Sequence, residues 1–371
     1  MKFIDLDAQY QQLKPKIDER IHAVLDHGQY ILGPEVRELE KELADYVGVK
    51  HVIGCANGTD ALTLSLLAQG IGPGDGVFVP SFTFFATAES VRLVGATPIF
   101  VDIDRATYNL DCDALEQAIH CHQSVGELKL RGIIPVDLFG LPADYGRIGE
   151  IAAQHDLFVL EDGAQGFGAT FDGKRVCAFG DIATTSFFPA KPLGCYGDGG
   201  AVFTNDDQLA EKVRSLHVHG QSVDKYENQY IGLNSRLDSI QAAVLLEKLK
   251  VFDDELVRRN EAAAMYTERL KDDFVVPVVP DGYTCCWAQY TIWPKEGTRD
   301  EHQARLKEAG IPSAVYYRIP LHLQSVFADS GYKPGSLPVC EELAHKVFSL
   351  PMHPFLDEAT IDRVTKALTE G

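Results

Sequence analysis

Between residues 51 and 204, short runs of apolar residues alternate with longer stretches in which apolar residues recur every three or four positions. Short runs are typical of buried strands, and the longer period is that of an amphipathic helix. The short runs predict strands at His51–Ile53, Val77–Val79, Thr97–Val101, Gly132–Pro135, Leu157–Leu160, Ala183–Ser186 and Gly200–Thr204. The longer stretches predict helices at Asp60–Ala68, Ala86–Val94, Ala114–Ile119 and Tyr145–Gln154. This alternation indicates an α/β fold in which helices flank a mostly parallel sheet.

The chain beyond residue 236 has a different pattern. Apolar residues recur with the helical period over residues 237–252 and again over residues 255–270, which predicts two helices. A run at Trp287–Trp293 predicts a strand, and a helix is expected at Arg299–Ala309. These elements indicate a second folding unit that follows the α/β part.

The length of the chain also favours two domains. At 371 residues it exceeds the size that a single core supports comfortably, and an apolar content of 45% is that of a globular protein. We predict a large domain over residues 13–252. A smaller α+β domain is expected over residues 253–371, with residues 1–12 joined to it.

The charge balance limits the partners of the chain. A net charge of −20 opposes binding to nucleic acid, because that affinity depends on many lysine and arginine contacts to phosphate. No apolar run approaches the roughly twenty residues of a membrane span, and Asp5 and Asp7 stand where a secretory signal would be apolar. We therefore expect no nucleic acid and no membrane as partners, and a cytoplasmic protein.

The cysteines give no sign of a metal or a disulfide framework. Eight cysteines contain no CxxC pair, and Cys285 and Cys286 are direct neighbours, so reduced thiols are expected. The run His120-Cys121-His122 has two metal-ligand types close together, but ligands at this spacing need further partners. We interpret it as a solvated turn and predict no metal site.

Polar residues follow several of the predicted strands. Asn57-Gly58-Thr59, Phe82-Thr83-Phe84, Asp162 and Ser186 all stand at the carboxyl ends of these strands. In a parallel sheet these ends lie at one edge, where ligands bind. The sequence thus predicts a ligand site at this edge.

Lys191 and Asp162 suggest the chemistry of that site. Lys191 lies in a turn between Pro189 and Pro192, and Asp162 ends a predicted strand twenty-nine residues earlier. A lysine amine can hold pyridoxal phosphate as a Schiff base, while a carboxylate keeps the pyridine nitrogen protonated so that the ring accepts electrons. Either residue alone is ordinary, as a surface lysine or as a turn aspartate. Together they indicate a pyridoxal phosphate site.

Other residues of the predicted edge suit the same cofactor. The amides of Gly58 and Thr59 open a helix and would point at an anion such as a phosphate, to which Ser186 could offer its hydroxyl. Gln165 could reach a ring substituent, and Phe84 could stack on the ring. Each residue also has a plain structural explanation, namely helix capping, a strand serine or core packing.

A dinucleotide loop at residues 163–168 is the competing interpretation. The Rossmann turn has the order GxGxxG and opens a helix, whereas the order here is GxxGxG. The residues that follow, with Asp172-Gly173 at their centre, predict a hairpin instead. Dinucleotide binding is therefore disfavoured.

Taken together, the motifs resemble those of the DegT/DnrJ/StrS nucleotide-sugar aminotransferases, which are similar to fold-type-I pyridoxal phosphate enzymes. The resemblance covers nearly the whole chain. The motifs that carry it are Tyr30–Val36, Ala56–Leu62, Glu161–Gln165, Ser186–Gly200, Asn234–Asp238 and Ser349–Pro354.

The resemblance implies a role for each matching position. Lys191 would bind the cofactor covalently, Asp162 would pair with the ring nitrogen, and Gln165 would contact the ring hydroxyl region. Gly58, Thr59 and Ser186 would hold the phosphate, and Phe84 would stack on the ring. In the family, the Asn-Ser-Arg motif reaches the partner subunit's site, so the resemblance implies a homodimer in which Asn234 and Arg236 act in trans. It also implies sugar contacts from the segment that contains Tyr316, Tyr317 and His322, where Tyr316 departs from the family's common His-Tyr pair.

The resemblance further implies an aminotransferase that takes its amino group from L-glutamate and passes it to a keto sugar on a nucleotide, in the synthesis of an amino sugar for a surface polysaccharide. The nearest motifs are those of members that aminate a UDP-linked 3-keto sugar acid. A UDP- or dTDP-4-keto-deoxysugar and a keto sugar without a nucleotide stay open as alternatives.

Related sugar dehydratases carry histidine in place of the lysine, so Lys191 argues against that reaction. A regulatory protein without turnover would be expected to have lost Lys191, Asp162 and Asn234, and all three are present.

Overall fold

A computed structural model describes residues 1–224 and 226–370. The helices of this part are α1 (Leu6–His27), α2 (Pro34–Val47), α3 (Gly58–Ala68), α4 (Ala86–Leu93), α5 (Cys112–Val125), α6 (Tyr145–His155), α7 (Asp207–Leu216), α8 (Ser239–Leu270), α9 (Arg299–Glu308), α10 (Pro338–Lys346) and α11 (Glu358–Thr369). The strands are β1 (His51–Cys55), β2 (Asp75–Pro80), β3 (Thr97–Val101), β4 (Lys129–Ile133), β5 (Phe158–Asp162), β6 (Thr170–Phe171), β7 (Lys174–Arg175), β8 (Ile182–Ser186), β9 (Gly200–Thr204), β10 (Phe274–Val275), β11 (Tyr290–Pro294) and β12 (Phe348–Leu350).

A seven-stranded sheet forms the centre of the larger part, in the order β1-β9-β8-β5-β4-β2-β3. Strand β9 runs antiparallel to both of its neighbours, whereas β8, β5, β4, β2 and β3 are mutually parallel. The strands are buried almost throughout because helices cover both faces. This confirms the predicted α/β class with a mostly parallel mixed sheet.

The two faces of the sheet have separate apolar cores. On one face α3, α4 and α7 pack through residues such as Leu64, Val91 and Val213. On the other face α5 and α6 pack through residues such as Leu115 and Ile148. Burial of these periodic apolar positions is the main driving force for placing the helices, and hence the strand ends, in fixed positions.

A three-stranded antiparallel sheet, β10-β11-β12, forms the smaller part of the molecule. It shares an apolar core with α9, α11 and the second half of α8, which includes Tyr266, Tyr290, Leu306 and Phe348. The predicted strand at Trp287–Trp293 corresponds to β11, which begins three residues later. This arrangement confirms the smaller α+β unit.

Helix α8 corrects the prediction of two helices over residues 237–270. It is a single helix of 32 residues, and the charged positions around Asp253 do not interrupt it. Glu255 is buried because both of its carboxylate oxygens accept hydrogen bonds from the Gln9 side chain at 2.9 Å. The domain boundaries predicted at residues 12/13 and 252/253 both fall inside continuous helices, α1 and α8.

The predicted solvated turn at His120-Cys121-His122 is also wrong. These residues belong to the last turns of α5, which ends with Gly126 in the left-handed conformation, and β4 starts three residues further on. The apolar period extends through Ile119 but is lost after it, so the sequence pattern underestimates the helix. The Asp172-Gly173 hairpin is confirmed, since β6 pairs with β7 in antiparallel register across it.

Candidate active site

The N-terminus of α3 lies directly against the end of β8. A Cβ atom added to Gly58 would stand 2.8 Å from the Cβ atom of Ser186, so only glycine allows this approach. The Asn57 side chain caps the helix by accepting from the Asp60 amide at 2.8 Å. Within the part of the chain that the structure describes, the amides of Gly58 and Thr59 donate to no acceptor. Two unpaired amides beside a serine hydroxyl fit a phosphate group.

Asp162 ends β5 at the same edge of the sheet and is buried. Its Oδ2 atom accepts a hydrogen bond from the Thr87 hydroxyl at 2.8 Å, and its Oδ1 atom accepts one from the Ala164 amide at 3.3 Å. Burial raises the pKa of Asp162, whereas these two donors and the Lys191 charge act against that rise. A carboxylate held in this way is suited to pair with a protonated ring nitrogen.

Lys191 lies between β8 and β9 on a loop that is fixed from several sides. The Lys191 amide donates to the Phe188 carbonyl at 2.8 Å, and the buried Lys248 amine of α8 donates to the Gly194 carbonyl at 2.6 Å. Burial lowers the pKa of Lys191, and the Asp162 charge opposes the shift. A lowered pKa leaves more of the amine unprotonated and therefore nucleophilic.

Gln165 joins the sheet edge to the smaller part of the molecule. The Gln165 side-chain oxygen accepts from the Phe139 amide at 3.0 Å, and its nitrogen donates to the Tyr317 hydroxyl at 3.0 Å. Burial raises the pKa of Tyr317, so its hydroxyl stays protonated and able to donate. The structure thus brings Tyr317 to the side of Asp162 and Gln165.

Phe84, Asn234 and Arg236 also belong to the predicted site. The Phe84 side chain is 56% exposed just beyond β2. Asn234 is exposed and pairs with Val218 through an isolated β-bridge, and Arg236 is half-buried near His217. In the described part of the chain no carboxylate forms an ion pair with Arg236. These positions leave their predicted cofactor and substrate roles open.

His322 and Tyr316 differ in their surroundings. The His322 side chain is enclosed between the Ser81 hydroxyl, at 2.6 Å from Nδ1, and the Glu341 carboxylate, at 3.1 Å from Nε2. The structure therefore places His322 as a link between the end of β2 and α10 rather than on an open face. Tyr316 is half-buried and its ring packs at a tilt on Phe3.

Three groups beside the site were not singled out from the sequence. Thr87 holds Asp162, Lys248 holds the Lys191 loop, and the buried carboxyl of Asp137 lies close to Asp162. A threonine or lysine within an amphipathic helix carries no sequence signal for such a contact. Asp137 could have been predicted, because it is an acidic residue just after a predicted strand, and the carboxyl ends of these strands lie at the ligand edge of the sheet.

Over residues 1–224 and 226–370, no helix combines the length and apolar character that a membrane crossing requires. In those same residues, no cluster of three His, Cys, Asp or Glu side chains is arranged to hold a metal ion.

Comparison with known proteins agrees with this geometry. Residues 11–369 match the model of the DegT/DnrJ/EryC1/StrS aminotransferase family. A UDP-2-acetamido-2-deoxy-3-oxo-D-glucuronate aminotransferase of Pseudomonas aeruginosa is 50% identical over 370 residues, which cover 100% of this chain and 99% of the relative. A UDP-N-acetyl-3-dehydro-alpha-D-glucosamine 3-aminotransferase of Acidithiobacillus ferrooxidans is 44% identical over 98% of this chain and 96% of its own.

A solved structure has the same fold along its whole length. The crystal structure of a DegT/DnrJ/EryC1/StrS aminotransferase from Brucella abortus superposes with a TM-score of 0.97 at 52% identity, covering 100% of this chain and 99% of that one. The chain therefore belongs to the DegT/DnrJ/EryC1/StrS aminotransferase family. It is a transaminase that depends on pyridoxal phosphate, and the residues around Lys191 fit that cofactor.

Proposed function

We propose that this enzyme moves an amino group from L-glutamate to a UDP-linked 3-keto sugar acid. The reaction type is supported by one observation, that the buried carboxylate of Asp162 at the end of β5 lies close to the Lys191 amine at the ligand edge of the sheet. The choice of sugar is supported by the full-length identity to the Pseudomonas relative, whose name specifies a UDP-linked 3-oxo-glucuronate.

Pyridoxal phosphate, when bound, would supply the aldehyde carbon that accepts the amino group from the donor and passes it on, together with a ring that accepts electrons. The Lys191 Nζ atom would hold the cofactor, and the same amine would move the proton at the α-carbon of the amino donor. Asp162 would keep the ring nitrogen protonated, and Gln165 would contact the ring hydroxyl region. The Gly58 and Thr59 amides and the Ser186 hydroxyl would hold the phosphate. Phe84 would stack on the ring.

We further infer that the enzyme is a homodimer in which each subunit completes its partner's site. The segment that contains Tyr30 and Ile31 joins the start of α8, since Ile31 pairs with Asp238. The consecutive residues Tyr30, Ile31 and Leu32 are 48%, 47% and 36% exposed. Clustered exposed apolar side chains are typical of an interface between proteins. Asn234 and Arg236 lie next to this surface in the chain and would act in trans.

The same site would recognise the rest of the substrate. Tyr316, Tyr317 and His322 belong to the segment that we assign to the sugar, with Tyr317 in direct contact with Gln165 and His322 fixing the segment to the sheet. We place the enzyme in the cytoplasm because all eight cysteines are free thiols, as is typical of reducing compartments. Its product would be an amino sugar for a surface polysaccharide such as lipopolysaccharide.

The sugar is tested by a panel of substrates given to the enzyme after it has been loaded with cofactor and glutamate. The absorbance change that reports return of the cofactor to its aldehyde form is measured with a UDP-3-keto sugar acid, the matching UDP-3-keto sugar without the carboxylate, and UDP- and dTDP-4-keto-deoxysugars. We expect the sugar acid to react fastest. A faster reaction of the neutral 3-keto sugar would exclude the acid as the preferred substrate. Reaction of the 4-keto sugars alone would exclude the 3-keto assignment.

A further inference from the structure

Two buried carboxyl groups, those of Asp137 and Glu161, lie behind Asp162. Glu161 precedes Asp162 on β5, so its side chain points to the opposite face of the sheet. Asp137 follows β4, and its amide donates to the Asp162 carbonyl at 3.1 Å. Both side chains are fully buried. Neither takes part in the functions assigned above.

The hydrogen bonds of Glu161 are those of a carboxylate. Its Oε1 atom accepts from the Cys177 amide at 2.5 Å, and its Oε2 atom accepts from the Phe179 amide at 2.7 Å. These two amides belong to the segment that leads into β8, the strand before Lys191. Glu161 therefore ties the end of β5 to the backbone that precedes the lysine loop.

The hydrogen bonds of Asp137 are unequally distributed. Its Oδ1 atom accepts from the Ala143 amide at 2.9 Å and from the Tyr145 hydroxyl at 2.8 Å. No donor in the described part of the chain reaches its Oδ2 atom, although that atom is buried. The two carboxyl groups lie within hydrogen-bonding reach of each other. Two facing carboxylates would repel, whereas one proton between them gives Oδ2 a partner.

The groups around Asp137 and Glu161 favour protonation of the pair. The titratable groups that interact with the pair are Asp162, Tyr145, Tyr283, Cys177 and Cys286, and none of these five is a cation. Asp162 must stay ionised to pair with a ring nitrogen, so a fully ionised cluster would hold three buried negative charges. Burial raises the pKa of Asp137 to about 7 and raises that of Glu161 as well.

We propose that Asp137 and Glu161 share a single proton and act together as a positioning pair for Asp162. The pair joins the end of β5 to the start of α6 on one side and to the segment before β8 on the other. It keeps one negative charge near Asp162 instead of two. The effect on Asp162 rests on the proposed function of the site, whereas the shared proton does not.

Infrared spectroscopy of the purified full-length protein tests whether Asp137 and Glu161 share a proton, and it requires no enzymatic activity. We expect a carbonyl stretch of a protonated carboxylic acid that shifts in D2O and is absent from Asp137→Asn, because the asparagine amide can donate to Glu161 in place of the proton. Absence of this band from the wild type, or its persistence in Asp137→Asn, would overturn the shared proton.

The pH dependence of stability gives a second test. Unfolded Asp137 has its ordinary pKa of 3.8 and folded Asp137 one of about 7, so between these values the folded state binds the extra proton. Its stabilising contribution is complete below the first value and is lost as the pH rises through the second. Urea unfolding should show the advantage of the wild type over Asp137→Asn falling between about pH 4 and 7. A difference that stays constant across this range contradicts the proposal.

The positioning role is tested with the cofactor bound. Glu161→Gln places an amide nitrogen against one of the two backbone donors, whereas Asp137→Asn keeps every hydrogen bond of the pair. We expect Glu161→Gln to shift the pH at which the absorbance of the lysine-bound cofactor changes. It should also lower kcat by about tenfold to a hundredfold through misplacement of Asp162, with KM little changed. Asp137→Asn should resemble the wild type in both. Equal behaviour of the two variants would show that the pair does not position Asp162. If Glu161→Gln does not fold, the infrared and urea tests on Asp137→Asn still decide whether the proton is shared.

Discussion

Gly58 is the residue at which the phosphate end of the site has the least room. Its Cα atom faces Ser186 so closely that an added Cβ would stand 2.8 Å from the serine Cβ, a distance that real Cβ contacts do not reach. Because Ser186 ends a central strand of the sheet, it cannot move aside cheaply. The start of α3 would have to move instead, and the amides of Gly58 and Thr59 would move with it.

We therefore expect Gly58→Ala to weaken binding of pyridoxal phosphate by about tenfold or more, a cost of at least roughly 1.4 kcal/mol. Binding can be followed by titrating the cofactor-free protein and measuring cofactor absorbance. The matched control is Gly149→Ala on α6, where an added Cβ meets nothing within 4 Å. That change should leave binding intact and raise stability slightly. Equal affinities for the two variants would mean that the close approach of α3 to β8 does not shape the phosphate site.

Single residues also show what the sequence can reveal about the site. Lys191 and Asp162 were predictable because covalent and charge chemistry restricts the residue type at each position. The enclosure of His322 was not, because its partner Ser81 lies 241 positions earlier in the chain. A pattern read along the chain cannot report a contact that only the tertiary fold creates.

At the scale of elements, the loop that carries Lys191 depends on α8. Lys248 on this helix is buried and donates to the Gly194 carbonyl, while its amine lies 4.1 Å from the centre of the Tyr196 ring. Burial lowers the pKa of Lys248 to about 8. A buried lysine of this kind stabilises the loop through its hydrogen bond even though its charge is disfavoured.

Lys248→Met should therefore act on the loop in two measurable ways. Loss of the hydrogen bond to Gly194 should slow formation of the covalent bond between Lys191 and the cofactor, seen as slower growth of its absorbance. From about pH 8 to the ordinary pKa of 10.5 the folded wild type binds fewer protons than the unfolded chain, so this group makes stability rise with pH. The rise should disappear in Lys248→Met but persist in Lys250→Met, the exposed neighbour on the same helix. A slope that survives in Lys248→Met would exclude this residue as its source.

The elements themselves were largely predictable from hydrophobic period. Strands β1 to β5, β8 and β9 match the apolar runs because strands buried on both faces require continuous apolar residues. Helix α8 was divided wrongly because acidic residues such as Glu255 interrupt the apolar pattern. The amide of Gln9, supplied by α1, makes that burial possible, and no local pattern indicates it.

At the scale of the whole molecule, the proposed dimer predicts that two inactive variants restore activity to each other, which a monomer could not do. If Asn234 acts in trans, a subunit with Lys191→Ala and a subunit with Asn234→Ala together form one complete site. Either variant alone should be nearly inactive. Co-expressed in equal amounts, they should recover about a quarter of the wild-type activity, since half of the randomly formed dimers are mixed and each of these has one good site.

The experiment separates trans from cis action without knowledge of the interface. If Asn234 served its own subunit, each site in the mixed dimer would lack one group and the mixture would stay inactive. Adding the separately purified variants under conditions that prevent subunit exchange provides the control. Recovery in that control as well would show that the activity does not depend on mixed dimers.

Helix α8 runs without a break from the α/β part to the core of the smaller sheet, and its 32 residues span about 48 Å. Its far end buries Ala262, Tyr266 and Leu270 among the residues of that sheet. The two parts of the enzyme are thus joined by one continuous helix and not by a flexible hinge. Producing either part separately would cut α8 and expose to water the apolar face that it now buries. We therefore expect stable expression only of a chain that contains both parts.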